Sequence, residues 1–193
     1  MIDEKVLIDR AQRGDMEAFR ELVERSKIKT YRLAYDLTGN RHDAEDLSQE
    51  VFIRAYGALK GFRAEAKWTT WLYRITMNIY YDHWRMKSKR ALEYRDNLEG
   101  CSTMTYNEQT TPGPDRKAEA GVMQEHIDRA LETLSPQERS VFVLRHYHDL
   151  PLKEIAGTMK IAEGSVKSYL FRAIKRLQKE LVFYKTDLGL EER

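Results

Sequence analysis

Cysteine is almost absent from this sequence: Cys101 stands alone among 193 residues. A single thiol closes no disulfide framework and builds no cysteine-based zinc site. Proline is scarce at four residues and glycine numbers ten, too few turn formers for an all-β chain of many hairpins. No apolar run approaches the roughly 18 residues that cross a bilayer. Met1–Arg10 has no apolar stretch of the signal-peptide kind. These gaps predict a cytoplasmic chain with no membrane insertion. Signatures of catalysis are missing too. His42, His83, His126, His146 and His148 are scattered along the chain, and on a helix His146 and His148 point to different faces. There is no glycine-rich phosphate loop and no nucleophile motif. The expectation is a non-enzyme with no cofactor and no metal.

Charge of one sign is lacking overall, with a net +2, and that near-balance hides a strong pattern. Between Lys60 and Arg95 nine basic residues face only Glu65, Asp82 and Glu93. Between Lys160 and Lys179 six basic residues face Glu163 alone. The stretch from Asp96 to Ala120 is acidic, five against two. Two basic blocks around an acidic one predict two contacts with one polyanion.

What is present reads as helix. Hydrophobic residues make up 41% of the chain and charged ones 33%, enough for modest cores in a soluble protein. From residue 3 to 91 the pattern is helical almost throughout. Gly39-Asn40 marks a turn, with a restart near Asp43, and Lys60-Gly61 marks a second break before a long helix over about Thr69 to Lys89. Asn97 to Gly113 is polar and aperiodic, the character of a tether. Helical pattern resumes near Glu119. Ser135-Pro136-Gln137-Glu138 is a strong helix start, with Ser135 to cap, Pro136 at the first position and Glu138 to complete a capping box. The predicted fold is all-α, two small helical domains joined by a flexible linker, with divisions at 1–95, 96–118, 119–185 and a tail over 186–193.

Residues 151–177 carry a helix-turn-helix pattern. Ile155, Ala156 and Met159 form the inner face of a short helix, and Ala156 is small enough for a second helix to cross closely. Lys160 to Gly164 makes the turn, with Ile161 beneath it. A second helix from about Ser165 to Lys179 puts Val166, Leu170, Ala173, Ile174 and Leu177 on one face. Lys167, Ser168, Phe171, Arg172 and Lys175 fall on another. Hydroxyl and cationic donors with one aromatic suit base edges and thymine methyls in a major groove.

The N-terminal half holds two further patterns. In Asp43–Tyr56, Ala44, Leu47, Val51 and Ala55 form a core stripe, and Asp43, Asp46, Glu50 and Arg54 line an outer face. An acidic face cannot approach phosphate, so its predicted partner is a basic protein surface. In Phe62–Arg90, the aromatics Phe62, Trp68, Trp71, Tyr73, Tyr80, Tyr81 and Trp84 are interleaved with cations. Such a surface holds unpaired bases by stacking and by charge on the backbone. Trp71, beside Leu72 and Ile75, is expected in the core; Trp68, in a loop that carries Arg63 and Lys67, is expected to be exposed.

Asp43–Tyr56, then Phe62-Arg63 through Thr70-Trp71-Leu72-Tyr73-Arg74-Ile75 to Asn78 and Asp82, resembles region 2 of extracytoplasmic-function sigma factors. Leu134–Arg139, Glu154-Ile155-Ala156 and Gly164–Ser168 resemble their region 4, with Ser165 where the family usually has Thr. The resemblance implies a specificity subunit of bacterial RNA polymerase. Asp43, Asp46, Gln49 and Glu50 would dock on the β′ clamp helices. Phe62, Arg63, Lys67, Trp68, Asn78 and Arg85 would bind the −10 element and capture a flipped base. Lys167, Ser168, Phe171, Arg172 and Lys175 would read the −35 element. Partners implied are core RNA polymerase (β′ clamp helices and β flap), promoter DNA and an anti-sigma factor. Promoter elements two helical turns apart are separated by about 70 Å, and a tether of about 25 residues reaches about 80 Å, so the domains need not touch. The competing reading is a free-standing helix-turn-helix regulator, which would usually carry an α/β or sensory N-terminal domain; no alternating strand pattern is present.

Overall fold

A computed structural model describes residues 2–96 and 126–182, and every regular element among them is helical. Most of the tether expected over 96–118, the helix start near Glu119, Cys101 and the tail 186–193 lie outside the described residues. The N-terminal half comprises α1 (Glu4–Gln12), α2 (Met16–Thr38), α3 (Arg41–Ala58), a short 3-10 turn (Leu59–Gly61) and α4 (Trp68–Asp96). The C-terminal half comprises helical residues 126–132 (α5), α6 (Pro136–His146), α7 (Leu152–Met159) and α8 (Glu163–Glu180).

The breaks fall where local chemistry dictates. Asp15 caps α2 by accepting from the Glu17 and Ala18 amides at 3.0 and 3.1 Å. Gly39 ends α2 in the left-handed region at φ 68°, a conformation that costs glycine nothing. Asn40 then caps α3 through the Asp43 amide. The predicted capping box at Ser135 and Glu138 is formed. Helix α4 starts one residue earlier than expected, at Trp68, and runs on to Asp96.

Three apolar clusters organise the molecule. The first joins α1–α4 through Leu7, Leu22, Leu47, Val51, Trp68 and Leu72. The third, Ala130, Leu131, Leu134, Ala173 and Leu177, ties α5 to α8. The second belongs to both halves. Leu33, Leu37, Tyr73 and Met77 pack with Val141, Leu144, Leu150, Ile155 and Val166, as α2 and α4 meet α6 and α7. The halves therefore touch, although the tether does not require it. Burying apolar side chains from both partners at about 25 cal/mol per Å² favours contact over separation in water.

Polar groups fix this junction. His148 Nε2 lies 2.9 Å from Asp36 Oδ2, and its Nδ1 lies 3.1 Å from the Tyr73 hydroxyl. One imidazole thus bridges α2 and α4 from the turn that follows α6. Arg139, buried on α6, donates from Nε to the Asp36 carbonyl at 3.1 Å. It thereby places a cation at the C-terminus of α2, where the helix dipole favours one.

Candidate nucleic-acid and protein interfaces

Helix α3 buries Ala44, Leu47, Val51 and Ala55, as its stripe predicts, and this turns the acidic row outward. Asp46 and Gln49 are exposed. Asp43 is half-buried with Lys87 Nζ at 2.7 Å. Glu50 is held by Arg54 at 2.6 Å and by His83 Nε2 at 3.0 Å. The four predicted residues thus share one face, but two of them already have cationic neighbours. Ile53 stands on this face as well, seven residues beyond Asp46 and 72% exposed. Sequence reasoning missed it, although an isoleucine among acidic positions is the visible signal. A cavity of about 290 Å³ borders the row, lined among others by Asp43, Asp46, Trp84, Lys87, Glu132 and Arg139. The acidic face therefore lies beside the junction between the halves.

The predicted base-capturing loop needs correction. Trp68 is not exposed in a loop. It opens α4 with only 1% of its surface exposed, and its indole N–H donates to Ser26 Oγ at 3.3 Å. Phe62 is buried as well, at 8%. The physical reason is an aromatic cluster: Phe62, Trp68 and Trp71 have ring centroids 4.7–5.8 Å apart. They form part of the first cluster together with α1, α2 and α3. Trp71, expected in the core, is the half-buried member. It shares a helical face with Asn78 and Arg85 at seven-residue steps. Asn78, Arg85, Arg63 and Lys67 are all exposed, with Asp82 3.6 Å from Arg85. Of the predicted set, four polar residues remain at the surface and two aromatics do not. The extra aromatics divide similarly: Trp84 is 44% exposed, and Tyr80 and Tyr81 are partly buried against the shared cluster. Burial raises the Tyr80 and Tyr81 hydroxyls above the usual phenol range.

In the helix-turn-helix, α7 and α8 are joined through Lys160, which adopts the left-handed region at φ 56°, with Ile161 half-buried beneath. Val166, Ala173 and Leu177 are buried, and Leu170 packs against the shared cluster. The opposite face presents all five predicted residues. Lys167, Ser168, Phe171, Arg172 and Lys175 are exposed, Phe171 to 59%. Lys175 Nζ sits 4.8 Å from the Phe171 ring centroid, and the Arg172 guanidinium 4.8 Å from that of Tyr169. Ser168 donates to the Gly164 carbonyl of its own helix at 3.0 Å. Glu138, predicted only as a capping residue, is buried against the inner edge of this row. Its carboxylate lies 3.6 Å from Arg172 Nε and 3.3 Å from Arg176 Nη1.

Chemically, the molecule offers one acidic surface on α3 and two basic, aromatic-bearing surfaces on α4 and α8. Among the described residues no cluster of histidine, cysteine and carboxylates is placed to hold a metal, and no helix is long and apolar enough to cross a membrane.

Comparison with known proteins gives a consistent picture. Residues 22–90 match the family model for sigma-70 region 2, and residues 124–177 match that for sigma-70 region 4. The chain is 34% identical over 181 residues to the ECF RNA polymerase sigma factor SigW of Bacillus subtilis, covering 92% of this chain and 96% of that protein. It is 32% identical over 181 residues to the ECF RNA polymerase sigma-E factor of Escherichia coli, covering 89% and 91%. Among solved structures, the sigma factor RpoE of Bartonella quintana, crystallised with the anti-sigma factor NepR, aligns with a TM-score of 0.67 at 23% identity over 84% of this chain and 96% of that one. CnrH in complex with the cytosolic domain of CnrY aligns at 0.66 and 22%, covering 92% and 96%. Both show a shared fold.

Proposed function

We infer the working parts of this chain from one premise: it belongs to the extracytoplasmic-function group of the sigma-70 family. It is a sigma factor, a non-catalytic specificity subunit that binds core RNA polymerase and directs it to promoters, reading the −35 element and melting the −10 element. The division we propose assigns residues 1–95 to region 2 and 119–185 to region 4, with 96–118 as the linker and 186–193 as a tail.

Region 2 docks on polymerase through α3. Asp46 and Gln49 meet a basic surface on the β′ clamp helices, Ile53 adds apolar contact, and Asp43 and Glu50 exchange their internal cations for external ones. Arg63, Lys67, Asn78 and Arg85 hold the −10 strand. Trp71 takes the stacking role, since Trp68 and Phe62 are interior. Stacking contributes about 1–3 kcal/mol per base, enough to hold a base that thermal opening exposes. Region 4 reads −35 DNA in the major groove through Lys167, Ser168, Phe171, Arg172 and Lys175, and contacts the β flap. The place of action is the polymerase in the cytoplasm, on the nucleoid once holoenzyme forms. An anti-sigma factor is a further partner, suited to a chain whose docking face must be kept from polymerase until needed.

One observation carries this reading. A single chain presents an outward acidic row on α3, with Asp46 exposed and Asp43 and Glu50 half-buried, and an exposed basic row on α8, each backed by its own buried stripe. A free-standing regulator needs the second row and has no use for the first. The decisive experiment is run-off transcription with core polymerase on genomic templates. Start sites should share two elements about two helical turns apart. A chain that neither co-purifies with core nor redirects it to new start sites would overturn the reading.

A further inference from the structure

Two arginines of α8 face back onto one carboxylate. The Glu138 side chain is 6% exposed, and its Oε1 and Oε2 lie 3.6 Å from Arg172 Nε and 3.3 Å from Arg176 Nη1. The same group closes the capping box by accepting from the Ser135 amide at 3.0 Å. Arg176 also donates to the Thr133 carbonyl at 2.9 Å, which makes it a tie between α8 and the turn before α6. Arg172 is held differently. Glu138 meets its Nε, the Tyr169 ring flanks its guanidinium, and more than half of the side chain stays exposed. The two terminal amino groups are left for a bidentate contact with a base edge.

We propose that Glu138 is a positioning residue that sets −35 specificity: its buried carboxylate holds the Arg172 guanidinium in the orientation that reads a base. This rests on the assignment of Arg172 to base reading. A free arginine samples many rotamers, and ordering it on DNA weakens binding. The carboxylate orders it beforehand. At 3.6 Å the contact is an ion pair and not a hydrogen bond, so it restrains the guanidinium without consuming a donor that DNA needs. The negative charge has a second effect, because it opposes phosphate contact by Arg172 and Arg176 on any sequence. Specific binding gains from order while non-specific binding loses attraction.

Those two effects give Glu138→Gln a signature that loss of folding cannot mimic. Glutamine keeps an oxygen to accept from the Ser135 amide and removes the charge. In holoenzyme assembled from core polymerase and the full chain, binding is measured on a cognate promoter duplex and on one with a scrambled −35 element. The variant should bind the scrambled duplex more tightly, show a steeper salt dependence, and lose about three- to tenfold in preference for the cognate site. Ser135→Ala removes the hydroxyl half of the capping box and spares the carboxylate, so it should lower the melting temperature with the preference intact. In an Arg172→Ala background, Glu138→Gln should no longer change the preference. An unchanged preference in Glu138→Gln, a parallel fall on both duplexes, or the same effect without Arg172 would each overturn the proposal. A different result separates the underlying assignment. If Arg172→Ala alone still prefers the cognate −35 element, base reading by Arg172 is wrong and the proposal falls with it.

Discussion

Trp68 opens α4 on the helical face that also carries Leu72 and Ile79, both buried, and the steps of four and seven residues between them are those of one helix face. That stripe is present in the sequence. It is obscured because the cations Arg63 and Lys67 stand nearby, and charge at neighbouring positions says nothing about where a ring at the helix start points. Aromatic content next to basic content is legible from residues; which ring faces water depends on the helix beginning at 68. The consequence is measurable. Trp68→Ala should destabilise the N-terminal half by about 3–5 kcal/mol, seen as a large fall in melting temperature. Trp71→Ala, at a half-buried position, should cost less stability than Trp68→Ala and reduce promoter opening at temperatures where the variant stays folded, read as permanganate reactivity of −10 thymines in holoenzyme. A template with a pre-melted −10 bubble should recover part of that loss, and full reactivity on duplex DNA would return Trp71 to a packing role. On α8 the exposure of the five residues proposed to read DNA was legible because the amphipathic period alone separates them from Val166, Ala173 and Leu177. Arg172→Ala should cost about 1–3 kcal/mol on the cognate site only. Lys175→Ala should weaken all sequences evenly and reduce the salt slope by about one. Equal losses on scrambled DNA would make Arg172 a phosphate contact.

At the scale of elements, α3 shows what a period can and cannot reveal. Its buried stripe and acidic row were readable from spacing. The pairing of Glu50 with His83 and of Asp43 with Lys87 was not, because those partners lie more than thirty residues away on α4. This decides which variant is clean. Glu50→Arg would place a cation beside Arg54 and His83 and disturb the α3–α4 contact, whereas Asp46 is exposed and, among the described residues, ion-paired with His42 of its own helix at 3.8 Å. Asp46→Arg should therefore abolish co-purification with core polymerase at unchanged helical content and melting temperature. Retained affinity in the folded variant would remove α3 from the docking surface. Helix α4 makes a second prediction through Tyr80 and Tyr81, whose hydroxyls burial holds above the usual phenol value of 10. Below the unfolded-state value both states keep these protons and stability is whole. As pH rises past it, the unfolded chain ionises while the folded rings do not, so stability falls. Tyrosinate absorbance followed with helical circular dichroism should show late ionisation coinciding with loss of structure. Ionisation of all tyrosines at the ordinary phenol value, before any unfolding, would contradict this.

For the whole molecule, two helical halves were legible and their contact was not. No spacing rule couples Leu37 or Tyr73 to Leu150 or Ile155 across an intervening polar stretch, and His148 looked like one scattered histidine among five. The contact and the function pull in opposite directions, since promoter elements about 70 Å apart cannot both be reached by halves that share a cluster. Labels at Lys27→Cys and Lys179→Cys, with Cys101→Ser, should report a short distance in the free chain and a long one in promoter-bound holoenzyme. An unchanged distance would mean that the halves stay together on DNA. Parting them wets Leu33, Leu37 and Met77 on one side and Val141, Leu150 and Ile155 on the other. Apolar surface entering water raises heat capacity, and surface buried against polymerase lowers it. Assembly with core, followed by titration calorimetry over a range of temperatures, should therefore show a heat-capacity decrement smaller than the new interface alone would give. The apolar surface that the free protein conceals within itself would thus appear as missing curvature in the thermodynamics of assembly.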